Sequence, residues 1–490
     1  MKTLLGIDYG TGGCKVTAIG TDGSFAGEAS VEYTTYHDHP GWSEQEPQDW
    51  WNALRAALRK LEGKGVNLAS VAAAALDGST HNAVLTDAAY RPLRRTIMWT
   101  DQRAVAECAA LRETRSERIF RTTCQMPAPT WTLPQLMWLK AHEPDVLART
   151  EHVLFVKDYV RYLLTGHAAT DRIEAQGTLF FDMAKMDWDE ELVRLAGLRP
   201  AALPPFLAPT DVAGRVTPEA AAATGLPEGL PVVCGSSDSA VEDYGAGAVE
   251  PGDLILKLAT AGNVNAMTAA AHPHPKTLTY SHIVPGMWYS VSATNAAALC
   301  QRWMRDTWGF SDYATMDREA SASPLGANGI FFHPYLQGER CPYWDPSLRA
   351  SFTGVSIAST RNDFCRALLE GVAFSLRDCY GTLQEMGLPV TRIFLIGGGA
   401  RSSLWSEIVC NVFNRPVAVP TPGDASFGAC LLAGTGIGVF SDVKDAVRKC
   451  LRVDRTLTPD PAAAERYARL YGTYRRIHDA LAPVYANASA

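Results

Sequence analysis

Residues Leu4–Gly23, LLGIDYGTGGCKVTAIGTDG, set a glycine-rich turn between two apolar runs, with an acid on one side and a base on the other. Leu4, Leu5 and Ile7 predict one short strand and Val16, Ala18 and Ile19 the next, while Asp22-Gly23 is a two-residue turn opening a third. Gly10, Gly12 and Gly13 carry no side chain, so backbone N–H groups there can approach an anion; Thr11 adds a hydroxyl and Lys15 a positive charge. The loop suits a polyphosphate. Asp8, just before it, suits Mg2+, which takes few carboxylates and keeps much of its water. The spacing is neither GxxxxGK[ST] nor a GxGxxG turn opening a helix. Taken alone, the stretch fits an ordinary glycine-rich hairpin equally well.

The chain has 490 residues, more than the roughly 250–300 at which a single core stops growing, so two large domains are expected. Its 47% hydrophobic and 20% charged residues are a globular composition. A net charge of −7 and the lack of a long basic run argue against a nucleic-acid partner. Any anion must then be held locally, by loops and helix ends. Eleven scattered cysteines form no CxxC pair and no zinc-spaced cluster, and read as reduced core residues of a cytoplasmic protein. The chain enters a strand too early for a signal peptide, and no apolar run approaches the ~20 residues of a membrane span.

Outward from the hairpin, Pro47 and early acids predict a helix with Trp51, Leu54, Leu58 and Leu61 on one face. The apolar strand Leu68–Leu76 then delivers Asp77-Gly78-Ser79-Thr80-His81-Asn82 at its C-terminal end, where open α/β sheets bind ligands. Ile97-Met98-Trp99 leads into Thr100-Asp101-Gln102-Arg103 at the start of a predicted helix, and residues 104–230 read as mainly helical. The strand Leu230–Cys234 runs into Gly235-Ser236-Ser237-Asp238, so Asp238 sits on a strand-to-helix turn, where it also suits a helix N-cap. A second apolar hairpin, Asp253–Leu258 and Val264–Met267 around Ala259-Thr260-Ala261-Gly262-Asn263, echoes the first. Two such turns suggest phosphates gripped from both sides. Arg392–Ile396 predicts a strand delivering Gly397-Gly398-Gly399-Ala400 to a helix N-terminus, bare backbone able to lie flat under a purine.

The stretches DYGTGGCK (8–15), THN (80–82), WTDQR (99–103), GSSD (235–238), LATAG (258–262), GERCPYWDP (338–346) and IGGGARSSLW (396–405), in this order over almost the whole chain, resemble the FGGY family of carbohydrate kinases. WTLPQLMWL (131–139), KDYVRYLLTG (157–166) and TDRIEAQGTLFFD (170–182) are similar to its xylulokinase subgroup. The resemblance implies an α/β protein of two ribonuclease-H-like, actin-like ATPase domains, an N-terminal one over 1–245 and a C-terminal one over 246–490, with ATP and sugar in an interdomain catalytic cleft. It implies Asp8 at the Mg2+ site; Gly10, Thr11, Gly12, Gly13, Lys15, Thr260 and Gly262 at the phosphates; and Gly398, Gly399, Ala400 and Ser403 at adenosine. Asp238 matches the catalytic base and His81 a sugar-contacting histidine, with Thr80, Asn82, Trp99, Asp101 and Arg103 on the same side. From the residues alone, His81 also fits a satisfied buried histidine, Trp99 packing, and Arg103 a partner of Asp101. The implied reaction is ATP-dependent phosphorylation of a small sugar, a pentulose such as D-xylulose, by a cytoplasmic enzyme for which a homodimer is the family-level expectation. Glycerol, erythritol, L-ribulose and L-fuculose are the rival acceptors, and a nucleotide-gated binding protein on the same scaffold is the alternative of another class. Two departures bear on specificity: Thr80-His81-Asn82 stands where the subgroup has Met-His-Gly, and Ala259-Thr260-Ala261-Gly262 where it has GTSG.

Overall fold

In the computed structural model, which describes residues 2–488, the opening stretch is the antiparallel pair β1 (Thr3–Gly10) and β2 (Gly13–Gly20), with Thr11-Gly12 as its turn. β3 (Phe25–Glu32) pairs antiparallel with β2. The Pro47–Gly63 helix then crosses over, as a parallel neighbour requires, to β4 (Val71–Gly78), which lies parallel to β1. β5 (Val212–Arg215) and β6 (Pro231–Ser237) complete a six-stranded sheet ordered β5-β6-β4-β1-β2-β3. Strand alternation splits β1 between two faces. Leu5, Ile7 and Tyr9 join Trp50, Leu54, Leu58 and Leu61 of the crossover helix in one core. The helix buries Trp50 rather than Trp51, one residue round from the predicted face. On the other face Gly6 meets the Ala425–Gly436 helix so closely that an added Cβ would lie 1.8 Å from the carbonyl oxygen of Ser426.

The second sheet repeats this scheme. β7 (Asp253–Leu258), β8 (Gly262–Thr268) and β9 (Trp288–Thr294) form an antiparallel meander; the Arg361–Glu385 helix leads to β10 (Arg392–Ile396), parallel to β7. β11 (Val417–Pro420) and β12 (Val453–Leu457) follow, so that six of the sheet's seven strands run in the order β9-β8-β7-β10-β11-β12. Each sheet therefore presents three antiparallel strands followed by two parallel ones.

The chain divides into two compact units, but not by one cut at 245/246. The first takes everything up to Gly247 together with Tyr280–Gly286 and Pro422–Leu451; the second takes Ala248–Thr279, Met287–Thr421 and the chain from Arg452. The Ala425–Gly436 helix, read from sequence with the second half, thus belongs to the first unit. Within residues 104–230 helix is the main regular structure, with Val105–Thr123, Thr132–His142 and Val156–Thr165 the longest helices, and short strand pairs such as Phe181–Asp182 with Asp187–Trp188 come after them. The helix expected from Thr100 starts at Val105, because the Asp101 carboxylate accepts from the backbone N–H groups of Ser43 and Arg103 and holds 100–103 as a turn. Gly398–Arg401 is a 3-10 turn, and the following helix, Ser403–Phe413, begins beyond it with Ser402 as N-cap. All eleven cysteines are free thiols. No helix among the described residues is long and apolar enough to cross a membrane.

Candidate active site

In the first unit, the Thr11-Gly12 turn is braced from three directions. Gln45 Nε2 donates to the Thr11 carbonyl at 2.7 Å, Tyr33 Oη to the Gly10 carbonyl, and Trp99 Nε1 to Thr11 Oγ1 at 3.0 Å. Gly12 is exposed, with nothing within 4 Å of a built Cβ, so its backbone is open to an anion. Gly13 is a glycine for packing: a Cβ there would stand 2.8 Å from the Val31 carbonyl oxygen. Lys15 is ion-paired with Asp424 at 2.6 Å and Glu28 at 2.7 Å.

Asp8 stands two residues before the end of β1, close to a group of acids. Burial pushes its carboxyl up to about 7; its contact with Asp77 works the other way, and repulsion from Asp238, Asp424 and Glu242 adds to the rise. Asp77 is its register partner on β4 and is pushed well above the usual carboxylate range, by burial first and then by Asp8. Asp424 stays low although burial opposes it, because Lys15 neutralises it and Phe427 N–H donates to it. Oδ1 of Asp8 and both oxygens of Asp77 are buried and receive no hydrogen bond from a donor. Such hard, unsatisfied oxygens fit Mg2+. No group of three or more His, Cys, Asp or Glu side chains suited to a metal occurs among the described residues, and Mg2+ needs no such group, since water and phosphate fill most of its octahedron.

Asp238 opens the Asp238–Gly245 helix at the end of β6, one residue after the N-cap Ser237. Its Oδ1 accepts from Ser239 N–H at 2.6 Å and from Thr80 Oγ1 at 3.3 Å. That contact joins it to the polar cluster at the end of β4. His81 there has a left-handed backbone (φ 56°), held by its N–H donating to the buried Glu174 carboxylate and its carbonyl accepting from Thr132 Oγ1 at 2.6 Å. Gly177 makes room for the ring: a Cβ there would be 2.7 Å from His81 Cδ2. Burial lowers the His81 pKa to about 3, so the ring is neutral, and its buried Nδ1 has no hydrogen-bond partner.

Asn82 is wholly buried and fully used. Its Nδ2 donates to the Ser79 carbonyl and hydroxyl, and its Oδ1 accepts from Trp99 N–H. Asp101 and Arg103 are buried too; the guanidinium lies against Asp101 and Glu44, each at 2.8 Å, and over the Trp42 ring at 3.6 Å. The structure therefore places Asp8, Thr11, Thr80, His81, Asn82, Trp99 and Asp238 in this unit, linked through Trp99 to Thr11 and Asn82 and through Thr80 to Asp238, while Lys15 and Arg103 are committed to carboxylates and Asp101 to Arg103 and backbone N–H groups. Sequence reasoning missed Glu174, Asp77 and Asp424. Asp77 was visible at a strand end; Glu174 and Asp424 carry only a first-turn and an N-cap signal, which do not reveal their distant partners.

In the second unit, Thr260 is exposed on the β7–β8 turn, and its carbonyl accepts from Ala297 and Leu299 N–H groups. Gly262 pairs with Thr294, and a Cβ there would lie 2.8 Å from both Leu376 Cδ2 and Thr294 Cγ2. Gly397 (φ 89°) turns the chain beyond β10. Gly398 is exposed and open, while Gly399 and Ala400 are buried, Gly399 against the Trp405 ring. Arg455, also missed, donates to the Ala400 carbonyl and, at 3.0 Å, to Ser403 Oγ.

The FGGY family of carbohydrate kinases matches this chain twice, by its N-terminal domain over residues 3–245 and its C-terminal domain over 260–437. The chain is 32% identical over 486 residues to a xylulose kinase of Escherichia coli K12, covering 98% of this chain and 100% of that protein. It is similar to the crystal structure of a xylulose kinase from Rhodospirillum rubrum, with TM-score 0.89, 32% identity, and 99% and 100% of the two chains covered. It is also 26% identical over 482 residues to a gluconokinase of Bacillus subtilis 168, covering 95% of this chain and 94% of that one.

Proposed function

The chain belongs to the FGGY family of carbohydrate kinases, phosphotransferases built from two domains of the actin-like ATPase fold, and from that premise we propose that it phosphorylates a pentulose such as D-xylulose from ATP, giving D-xylulose 5-phosphate. The observation that carries the chemistry is the contact of Asp238, at the first turn beyond β6, with Thr80 at the end of β4, beside His81 and within the field of Asp8. Asp238 acts as general base. A sugar hydroxyl is a poor nucleophile at neutral pH; the carboxylate takes its proton while its oxygen bonds to the terminal phosphorus and the bond from that phosphorus to the ADP oxygen breaks. Neutral His81 turns Nδ1 to a sugar hydroxyl, and Thr80 fixes Asp238. Asn82, Trp99, Asp101 and Arg103 act as positioning residues, since their polar atoms, Arg103 Nη1 apart, are bonded within the protein.

The exposed backbone at Gly12 and the hydroxyl of Thr11 receive phosphate oxygens, with Gly10 and Gly13 shaping the turn and Lys15 offsetting the negative charge of Asp424 and Glu28 beside it. Thr260 and Gly262 do the same on the second unit, where Gly398, Gly399, Ala400 and Ser403 receive adenosine. Bound at Asp8, Mg2+ supplies charge neutralisation on the transferring phosphoryl group. The eleven free thiols support a cytoplasmic setting, and we expect a homodimer.

The test is Asp238→Asn, read by coupled ADP release and by nucleotide affinity. Turnover falls by about 10²–10⁴, the usual range for a general base, with ADP affinity kept; unchanged turnover removes Asp238 from that role. The second reading, a kinase of another polyol or ketose such as glycerol, erythritol, L-ribulose or L-fuculose, is favoured by Thr80 and Asn82 standing where the subgroup has Met and Gly. A panel of acceptors in the same assay separates the two readings by which one gives the highest kcat/KM.

A further inference from the structure

Asp77 has no part in the reaction as described above, yet its placement is unusual. It lies in the middle of the first sheet, wholly buried, with Asp8 beside it on β1 and Ser236 beside it on β6. No hydroxyl, amide or basic side chain donates to either of its oxygens; what faces them is the Asp8 carboxyl. The basic groups of this unit that come near are engaged elsewhere, Lys15 by Asp424 and Glu28, and Lys157 by Asp158 and Asp171. A carboxylate buried without donor or cation is costly, and a divalent ion relieves both carboxylates at once.

We propose that Asp77 is a second carboxylate of the divalent-cation site, so that Asp8 and Asp77 hold Mg2+ together, directly or through its water. Magnesium uses one or two carboxylates and fills the rest of its octahedron with water and phosphate, so the pair completes its protein ligands. Asp238 then stays available for the sugar proton. This inference rests on the reading of Asp8 as the metal residue.

The experiment titrates Mn2+ into the full-length protein with ADP present and reads free Mn2+ by electron paramagnetic resonance, for wild type, Asp77→Asn, Asp77→Ser and Asp8→Asn. Expected is a loss of Mn2+ affinity of roughly 10–100-fold in both Asp77 variants and in Asp8→Asn, with metal-free melting temperatures no lower than wild type. The asparagine keeps the shape and can still donate to Asp8. Full Mn2+ affinity in Asp77→Asn beside a loss in Asp8→Asn therefore makes Asp77 a protonated prop for Asp8 and overturns the proposal. Full affinity in all three variants overturns the Asp8 reading itself, and this inference with it. The serine variant carries the test should the asparagine fail to fold.

Discussion

The two hairpins share one backbone scheme and differ in what stands at matching positions. Three residues before Thr11 stands Asp8, paired across to Asp77; three residues before Thr260 stands Lys257, paired across to Ile396. Beyond Asp77 the chain continues as Gly78-Ser79-Thr80-His81, beyond Ile396 as Gly397-Gly398-Gly399. One frame thus carries acids and hydroxyls, the other a cation and bare backbone. Carboxylates suit a metal ion and a proton; exposed backbone and positive charge suit phosphate and a flat base. The difference assigns chemistry to the first unit and holding to the second.

The strongest way to break that assignment is to exchange charge for neutrality at the matching positions. Asp8→Asn is expected to lower kcat by roughly a hundredfold or more and to raise the Mg2+ needed, since a metal supplies several kcal/mol of transition-state stabilisation. Lys257→Met is expected to raise KM for ATP a few-fold with kcat nearly kept. Steady-state kinetics at several Mg2+ concentrations separates the two, and equal losses of kcat erase the distinction.

Next in size is the pair of glycines two residues after each threonine. A methyl group at Gly13 meets the Val31 carbonyl, a backbone atom that cannot swing aside, whereas at Gly262 it meets the ends of Leu376 and Thr294 side chains. Overpacking of this kind costs about 1–3 kcal/mol, so Gly13→Ala should sit at the upper end and Gly262→Ala at the lower. Denaturant unfolding of both variants checks the order.

Both hairpins were legible because turn glycines and alternating apolar residues are local signals, and so was Asp238, at the junction of a buried strand and a helix. The remainder depends on contacts distant in sequence. Nothing near Asp424 tells that its helix returns to the first unit, or that Lys15, 409 residues away, becomes its partner; that follows from the fit of Gly6 against the Ser426 backbone. Asn82 reads as a polar side chain aimed at ligand, and it is spent on Ser79 and Trp99 because the chain around His81 turns back on itself. Asp77 reads as one more polar residue until the register sets it beside Asp8.

The Asp8–Asp77 pair also predicts a dependence on pH that the matching Lys257–Ile396 pair of the second hairpin should lack. Asp8 is raised from 3.8 to about 7 in the folded protein. The native state therefore holds the proton more tightly than the unfolded chain, and its contribution to stability, full below about pH 4, is lost as pH rises towards 7. Asp8→Asn removes that loss. The metal-free variant should gain a few kcal/mol at most on wild type between pH 4 and 8, while Lys257→Met follows wild type across the range. Thermal unfolding in chelator at stepped pH reads both.

The smallest effect tests the braces. Trp99 donates from Nε1 to Thr11 Oγ1 in the first unit, and Arg455 donates to Ser403 Oγ in the second, each at 3.0 Å. A neutral hydrogen bond contributes about 0.5–1.5 kcal/mol, or roughly two- to tenfold in an equilibrium. Trp99→Phe keeps the ring and removes the donor, so KM for ATP should rise two- to fivefold with kcat held. Because Asn82 accepts from the Trp99 backbone, which the substitution leaves alone, KM for sugar should not move. A rise in sugar KM instead would mean that the indole N–H serves the acceptor and that the first unit uses Trp99 as part of its sugar wall; a rise in both would mean that Thr11 and the sugar share one brace, something the second unit, with Arg455 on Ser403 and Ala400 alone among these site residues, has no means to copy.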